Sequence, residues 1–419
     1  MIDGHALAAL AASEGVALLD LTPLADGTIA HLLTPDGRVR RERFPLTDGD
    51  LRSMAVEGIY APSGLVESAL LDQSVLRGVV EGEEERIRVT PQAEFNPQLI
   101  EDWYDSKRRV DAAIDAWGKA TEALLQRLSA LTEPLAIWLL AHTPSIPLVV
   151  SAGGILSVLP WFAAAADNVT PFAERFSITQ VPGFAMYDFL RKRGPTQPTS
   201  LGLVFPPLDP DLYFSRREVA WVQRRLGLTV RAERQVEALF GEEARGAAHL
   251  HISTHGVTYL SHPLLSGLNL NRADGLVEVQ LAELLDRLDC PECDLAVLTA
   301  CQTGQAAAGN VDNKSLGLSL AFLAAGARRV WSTLWSVNEL STALLLTKAY
   351  ALREDGATAA AALTGARRWL RTSDRIEILH WLNAELRNSD EYKDRVLPLG
   401  KIPFASPLYW AAFRHEGLF

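Results

Sequence analysis

The sequence predicts an α/β protein: a mostly parallel β-sheet flanked by helices, with an N-terminal β-hairpin and a helical region packed on it. From Leu148 onwards, short apolar runs alternate with helix-length segments, which is typical of parallel strands joined by right-handed crossovers. The run Asp294 to Ala300 is mostly apolar and of strand length, the pattern of a strand buried on both faces. A matching run ends at His255. We expect an N-terminal region at 1–145 and the main α/β unit at 146–419.

The N-terminal region starts with an Ala-rich segment at 1–13 that predicts a short helix or a loose terminus. Turn signals at Asp26-Gly27 and Pro35-Asp36-Gly37 separate three strand-like runs: Val16–Thr22, Thr28–Thr34 and Arg38–Phe44. Residues 48–90 are ambiguous, with helical pieces. Apolar residues at helical spacing predict a long helix at 98–131 and a second at Pro134–His142. We expect these helices to cover the core, with a partner surface as the alternative.

The second region carries the alternating pattern. The predicted strands are Leu148–Ser151, Arg175–Gln180, Ser200–Phe205, Leu250–Thr254, Leu295–Thr299 and Arg329–Leu334, with a late strand at Tyr409–Phe413. The predicted helices are Ser215–Leu226, Val236–Arg245, Val279–Asp286, Leu316–Ala325, Val337–Arg353, Thr358–Arg371 and Ile376–Arg387. No helical repeat is present in the sequence.

The composition is that of a globular protein, with 48% hydrophobic and 22% charged residues among 419. A net charge of −11 without a basic tail argues against binding to nucleic acid or an anionic membrane surface. No apolar run reaches about 18 residues, so we expect no transmembrane helix. The N-terminus lacks the basic start of a signal peptide, and we expect a cytoplasmic protein.

The three cysteines are few for this length, which fits a reducing compartment where thiols stay free. Cys290 and Cys293 form a CxxC pair. It lacks a second pair for zinc and a thioredoxin-like setting for redox chemistry, so we interpret it as structural, with a regulatory disulfide as the alternative.

Cys301 is the candidate nucleophile and His255 the candidate general base and acid. Both follow apolar runs, and open α/β sheets place their chemistry at the carboxyl ends of strands. Neighbouring strand ends would bring the two side chains within reach, and a nearby imidazole favours the reactive thiolate. The chain order, histidine first and cysteine roughly 50 residues later, is the caspase-type order. A buried structural cysteine is the alternative for Cys301.

His249 and His251 lie on the same strand face as His255 by the two-residue period. A metal site built from these imidazoles is disfavoured, because positions i, i+2 and i+6 along one strand spread too far at ~3.3 Å per residue. We therefore expect no metal and no cofactor.

The segments HISTHG, LAVLTACQTG and SLGLSLAFLAAGARRVWSTLWSVNE resemble the CHAT family, caspase-like and separase-like cysteine proteases of clan CD. LVVSAGGILSVLPWFAAA (148–165) and SPLYWAAFRHEG (406–417) resemble further blocks of the family, in the same order. The resemblance covers roughly residues 16–419. It implies a caspase-like catalytic domain at 146–419 and makes 1–145 the pseudo-caspase or regulatory half.

The resemblance also implies roles for single residues. Backbone N–H groups of Gly256 and Cys301 would form the oxyanion hole, since donors fixed before the reaction stabilise the tetrahedral intermediate. His251 matches a position that is often histidine in the family, and we expect it to support the site. Thr299 would line the S1 pocket; because it is not aspartate, one reason to expect a basic P1 residue is absent.

Other substrate-binding candidates are less specific. Asp209 and Asp211 follow a predicted strand and either line the pocket or form a solvated turn. Asn338 and Glu339 match the family's substrate-binding wall, and Trp335 packs either on a substrate side chain or in the core. The polar loop Gln302–Lys314 is expected to be disordered or displaced in a resting state.

The function we expect is cysteine endopeptidase activity on a protein substrate. Through the family, the resemblance implies a regulated protease of bacterial defence or cell death, with a gasdermin-like or other effector protein as substrate and an activating partner protein. One alternative is an inactive caspase-like scaffold, and another is a thiol amidase acting on a small molecule. A peptidase needs an open groove beside a strand edge, whereas a small-molecule amidase needs a closed pocket.

Overall fold

The structure is a computed structural model of the 419-residue chain. It describes residues 3–89, 96, 98–165, 170–193, 201–207, 213–226, 229–233, 235–257, 259, 262–272, 275–299, 317–386 and 400–419.

The strands fall close to the apolar runs of the sequence. They are β1 (Ala17–Leu24), β2 (Gly27–Leu33), β3 (Val39–Phe44), β4 (Leu148–Ala152), β5 (Ile178–Gln180), β6 (Leu201–Phe205), β7 (Thr229–Ala232), β8 (His249–Ile252), β9 (Gly256–Val257), β10 (Gly267–Arg272), β11 (Gly275–Gln280), β12 (Leu295–Leu298), β13 (Arg329–Thr333) and β14 (Phe413–Gly417).

The helices connect and cover these strands. They are α1 (Gly4–Glu14), α2 (Asp48–Ala55), α3 (Ala61–Val89), α4 (Gln98–His142), α5 (Phe172–Arg175), α6 (Phe184–Lys192), α7 (Tyr213–Arg225), α8 (Glu242–Arg245), α9 (Leu281–Arg287), α10 (Leu318–Ala325), α11 (Glu339–Glu354), α12 (Ala359–Thr372) and α13 (Arg375–Glu385). A turn of π-helix, Val56–Tyr60, joins α2 to α3.

Within the described residues, eleven strands form one sheet in the order β3-β2-β1-β4-β5-β14-β13-β12-β8-β6-β7. The pairing is mostly parallel, as the alternating sequence pattern predicted. Antiparallel pairs join β1 to β2, β2 to β3 and β13 to β14. The N-terminal hairpin enters the sheet through the parallel pairing of β1 with β4. A smaller sheet, β11-β10-β9, lies between β8 and β12 in the chain.

The core lies on both faces of the large sheet, and β12 shows why. Leu295 and Val297 belong to one buried cluster, whereas Ala296 and Leu298 belong to the other. Successive side chains of a strand point to opposite faces, so a strand covered on both sides is apolar throughout. Helices α4, α7, α11, α12 and α13 contribute to the first cluster, and α1, α6, α9 and α10 to the second.

Several of the sequence predictions are corrected by the structure. Arg175, predicted in a strand, ends α5, and Val279, predicted in a helix, lies in β11. The segments 98–131 and Pro134–His142 form one helix, α4, with Pro134 inside it. The late strand begins at Phe413 rather than Tyr409. The segment predicted as a helix at Val236–Arg245 contains a short 3-10 turn followed by the four-residue α8. Among the described residues, no helix has the length and apolar character needed to cross a membrane.

The interruption of α4 by proline is tolerated because packing outweighs the lost hydrogen bond. Proline lacks the N–H that would bond to the carbonyl four residues earlier, at a cost of ~3 kcal/mol. Leu131 and Leu135 flank Pro134 and are fully buried in the first core cluster. Each buried leucine contributes about 1.5–3 kcal/mol, so the buried face keeps the helix continuous.

Candidate functional site

The candidate site lies at the carboxyl ends of two neighbouring parallel strands, β8 and β12. Ile252 is paired with Leu298 at the end of the ladder. The next residue of the second strand continues the contact, because Thr299 N–H donates to the Ile252 carbonyl at 3.0 Å. The two strands therefore end side by side and at the same level of the sheet.

His255 follows Ile252 by three residues, and Cys301 follows Leu298 by the same number. His255 is exposed to solvent. Cys301 and the loop Gln302–Lys314 lie outside the described residues, so the distance between the imidazole and the sulfur stays a prediction. Three residues span at most ~10 Å, so we expect both side chains near this end of the β8–β12 pair.

Gly256 begins β9, opposite Leu268 of β10. The Asn269 N–H donates to the His255 carbonyl at 2.9 Å, next to this pair. In an antiparallel ladder, such a bond flanks a pair whose own N–H and C=O groups point away from the partner strand. The Gly256 N–H is therefore directed away from β10, beside His255.

Four buried polar side chains lie next to one another on β8 and the helices that cover it. The Tyr350 hydroxyl is 2.9 Å from His249 Nε2 and 2.8 Å from His251 Nδ1. On its other side, His251 Nε2 lies 2.8 Å from a carboxylate oxygen of Glu218. All four side chains are buried. His249 and His251 thus share one face of β8, as the two-residue period predicted, and that face is covered by α7 and α11. The prediction that His255 continues this face is wrong, because β8 ends at Ile252.

Burial determines the protonation of His249 and Tyr350. It lowers the pKa of His249 well below its usual value, with the charges of His251 and Arg353 adding to the effect. It also raises the pKa of Tyr350 well above its usual value. At neutral pH His249 is therefore uncharged and Tyr350 keeps its proton. A single hydroxyl proton serves one of the two imidazoles, and the other imidazole donates to the Tyr350 oxygen.

Among the described residues, no group of three or more His, Cys, Asp or Glu side chains is arranged to hold a metal ion. His249 and His251 are instead held by Tyr350. The supporting role expected for His251 stays a prediction.

The candidates for the specificity pocket occupy different environments. Thr299 is half-buried at the end of β12, and its hydroxyl donates to the Ile252 carbonyl at 3.3 Å. Trp335 is fully buried and its indole N–H donates to the Leu408 carbonyl at 3.1 Å. Of the two interpretations of Trp335, the structure favours the core, since a fully buried ring offers no surface to a substrate. Asp209 and Asp211 lie outside the described residues.

Asn338 and Glu339 sit at the start of α11, after the loop that follows β13. Asn338 is exposed and caps the helix, since its side-chain oxygen accepts the Ser341 N–H at 3.0 Å. Glu339 is half-buried and accepts the backbone N–H of Ser215 at 3.1 Å. The starts of α7 and α11 are thereby joined, and their placement as a substrate wall stays a prediction.

Sequence reasoning missed Glu218 and Tyr350. Glu218 had a detectable signal: it lies four residues after Phe214 and three before Trp221, so a carboxylate falls on the apolar face of α7. Tyr350 had none, because a tyrosine in a largely apolar helix is ordinary core composition.

A second buried polar group involves Arg414 and Glu416 of β14, which are 2.9 Å apart. Glu416 also accepts a hydrogen bond from the Ser332 hydroxyl at 3.0 Å. Arg414 donates to the Ser157 carbonyl and reaches the Ser319 hydroxyl at 3.5 Å, in the first turn of α10. This arginine therefore links the start of α10, the helix that follows the Cys301 loop, to the sheet.

Cys290 and Cys293 lie in a turn, with the Cys293 N–H donating to the Cys290 carbonyl at 3.1 Å. Both side chains are fully buried, and burial raises the pKa of Cys293 well above its usual value. A protonated, inaccessible thiol is a poor nucleophile, which favours a structural role for this pair.

Comparison with known structures places the fold. Two crystal structures of the Saccharomyces cerevisiae separase–securin complex are similar, with TM-scores of 0.55 and 0.54 and sequence identities of 11% and 12%. Each match covers 99% of this chain and 31% of the other. The chain therefore spans about a third of the length of those proteins. At this identity the likeness shows the caspase-like fold alone. No curated protein matches the sequence.

The profile of the CHAT domain matches residues 120–417, well over half of the chain. This match includes β8, β12 and the strand ends that carry His255 and the candidate cysteine. The chain therefore belongs to the CHAT-domain family, as its motifs indicated.

Proposed function

We propose that this chain is a cysteine endopeptidase that cleaves a protein substrate with His255 and Cys301 as its catalytic pair. The observation that carries the proposal is the register of β8 and β12. Since Ile252 pairs with Leu298, each candidate residue follows a paired position by the same three residues. The family match and the caspase-like fold support the same conclusion.

In the proposed mechanism, His255 takes the proton of the Cys301 thiol, and the thiolate attacks the carbonyl carbon of the scissile amide. A C–S bond forms and the carbonyl oxygen becomes an oxyanion. The N–H groups of Gly256 and Cys301 stabilise this oxyanion. The direction of the Gly256 N–H, away from β10, suits this role.

Collapse of the intermediate breaks the C–N bond, and protonated His255 gives its proton to the leaving amine. The acyl half of the substrate is then a thioester on Cys301. Water, deprotonated by His255, attacks the thioester carbonyl; the C–S bond breaks, and a carboxylate and the free thiol result.

The substrate class we propose is a folded protein with an exposed cleavage segment, such as a gasdermin-like or other effector in a defence pathway, and we propose that a partner protein activates the enzyme. Thr299, Asp209, Asp211, Asn338 and Glu339 remain the proposed residues of the substrate-binding side. A reducing compartment such as the cytoplasm would keep the Cys301 thiol free.

The test compares the wild-type chain with Cys301→Ala. We expect proteome-wide mapping of new N-termini to show cleavage by the wild type and none by the variant. A thiol-reactive peptide probe should label the wild type and should not label Cys301→Ala. The matched control is Cys293→Ala, which removes a buried thiol of the same chain and should leave the labelling intact.

The outcomes separate the alternatives. Equal cleavage by the wild type and Cys301→Ala would exclude the proposed nucleophile. A wild type that neither cleaves nor reacts with the probe, with candidate activators present, would favour an inactive scaffold. Hydrolysis of small amides without cleavage of any protein would favour a small-molecule thiol amidase.

A further inference from the structure

The segment that directly follows His255 exposes large apolar side chains. Tyr259 is 43% exposed, Leu264 46% and Leu265 44%. Single exposed apolar residues are common on protein surfaces and need no explanation. Here three such residues lie in one loop that begins four residues after the candidate catalytic histidine. A cluster at this position requires an explanation.

Hydrogen bonds hold the described residues of this loop, Tyr259 and 262–266. The Tyr259 N–H donates to the Ser266 hydroxyl at 2.9 Å, which joins the two sides of the loop. The Leu265 N–H donates to the His262 carbonyl at 2.9 Å, and the Ser266 N–H to the Pro263 carbonyl at 3.0 Å. The leucines are therefore presented by a short 3-10 turn and not by an open chain.

The base of the loop is fixed to the candidate site. Val257 pairs with Gly267, and the Asn269 N–H donates to the His255 carbonyl at 2.9 Å. Tyr259 is four residues from His255, so its Cα lies within ~14 Å of that of the histidine. An extended substrate advances about 3.3 Å per residue. Four substrate residues therefore suffice to reach from the imidazole to the apolar loop.

The chemistry of the proposed reaction determines which half of the substrate meets this loop. The acyl half stays bonded to Cys301, while His255 gives its proton to the nitrogen of the departing half. The departing half therefore begins at the imidazole and runs over the surface next to His255. Tyr259, Leu264 and Leu265 follow His255 within ten residues and expose apolar side chains that could contact this half.

We propose that Tyr259, Leu264 and Leu265 form a subsite for an apolar side chain on the carboxyl-terminal side of the scissile bond, within the first four positions after it. The occupant is the extended departing segment of the substrate itself. This inference rests on the proposed function and deepens it. The S1 pocket selects the residue before the scissile bond, whereas this subsite selects a residue after it.

The test uses two substrates with the same acyl half, taken from a site that the wild type cleaves. One is an internally quenched peptide that continues for four residues with one large apolar residue. The other ends in a coumarin amide and has no departing residues. We expect Leu264→Ser combined with Leu265→Ser to lower the ratio of kcat/KM for the peptide to kcat/KM for the coumarin amide about tenfold.

The peptide itself provides a second arm. Replacing its apolar departing residue with serine should lower kcat/KM about tenfold for the wild type and by less than twofold for the double variant. Tyr259→Ser should behave like the double variant. The matched control is Leu276→Ser: Leu276 is 64% exposed on β11 of the same small sheet, but pairs with Asn271 at the far end of β10. This control should leave the ratio unchanged.

Several results would overturn the inference. Loop variants that slow both substrates equally act on the site as a whole and not on the departing half. An unchanged ratio, or an equal loss from the serine peptide in wild type and variant, would show that the loop does not bind that residue. By contrast, cleavage that persists in Cys301→Ala would overturn the proposed function, which is a separate outcome.

Discussion

The buried hydroxyl of Tyr350 provides the sharpest test of how the strand carrying the site is held. It is the only side-chain oxygen that the described structure places within hydrogen-bonding distance of both His249 and His251, at 2.9 and 2.8 Å. Tyr350→Phe deletes this oxygen and keeps the ring, so its tilted contacts with the rings of Trp221 and Trp331 are preserved. The change therefore isolates the two hydrogen bonds.

The size of the effect follows from burial. His251 is fully buried and His249 nearly so, and water cannot replace the lost oxygen without opening the core. A buried polar atom that loses its partner costs about 1–3 kcal/mol. Two such atoms, with partial relaxation, predict a loss of about 2–4 kcal/mol in the free energy of unfolding. At ~2.1 cal/mol/K per residue, a loss of this size lowers Tm by about 3 °C.

Calorimetry and urea unfolding measure this loss, and Tyr60→Phe is the matched control. Tyr60 is half-buried, and its buried hydroxyl has no hydrogen-bond partner among the described residues. Its removal should change stability by less than about 0.5 kcal/mol or increase it. If Tyr350→Phe costs no more than Tyr60→Phe, the two histidines do not depend on this oxygen and the reasoning is wrong.

Two further predictions concern buried charge at β14. Burial lowers the pKa of His415 to about 3. Below pH ~6.5 the unfolded chain therefore binds a proton that the folded chain does not. The free energy of unfolding should fall as the pH is lowered, by about 2 kcal/mol between pH 7 and pH 5. His415→Gln should remove that share of the slope in unfolding curves at pH 7 and pH 5; parallel curves for both proteins would contradict the assignment. Glu416→Gln leaves Arg414 buried without its counter-charge and should cost about 3–5 kcal/mol. Combining it with Arg414→Met should recover part of that loss in urea unfolding, and strictly additive losses would show that the two side chains are not coupled.

The sequence was informative where burial alone decides the structure. The apolar run at Leu295–Thr299 gave β12 to within one residue, because a strand covered on both faces must be apolar whichever elements cover it. The same holds for β6 and β13. The two short turn motifs in the N-terminal region likewise indicated a meander of three strands, which the structure confirms.

The predictions failed where a residue's partner is distant in sequence. Arg414 and Glu416 are poor candidates for a buried strand when considered singly, so the sequence predicts the late strand too early in the chain. The ion pair between them makes their burial tolerable, and no local sequence pattern predicts that ion pair. The sequence predicts a helix boundary at Pro134 for a similar reason, since the packing that keeps α4 continuous there comes from other elements.

The candidate site divides in the same way. The positions of His255 and Gly256 at a strand end could be predicted, because the motif and the end of an apolar run coincide. The side chains that hold His251 could not be predicted, since Glu218 and Tyr350 belong to helices that only the tertiary fold brings to β8. Sequence patterns thus indicate the candidate residues, whereas the contacts that hold β8 depend on how the helices pack on the sheet.

The pairing of β1 with β4 has a practical consequence for any attempt to isolate the part of the chain that carries the candidate catalytic residues. Val149 and its neighbours in β4 are fully buried, and their backbone groups on one side bond only to the hairpin strand before them. In a fragment starting near residue 146, β4 would become an edge strand with unpaired backbone donors and acceptors and apolar side chains. Such an edge is a site of aggregation. Biochemistry on this protein is therefore best carried out with the hairpin left in place.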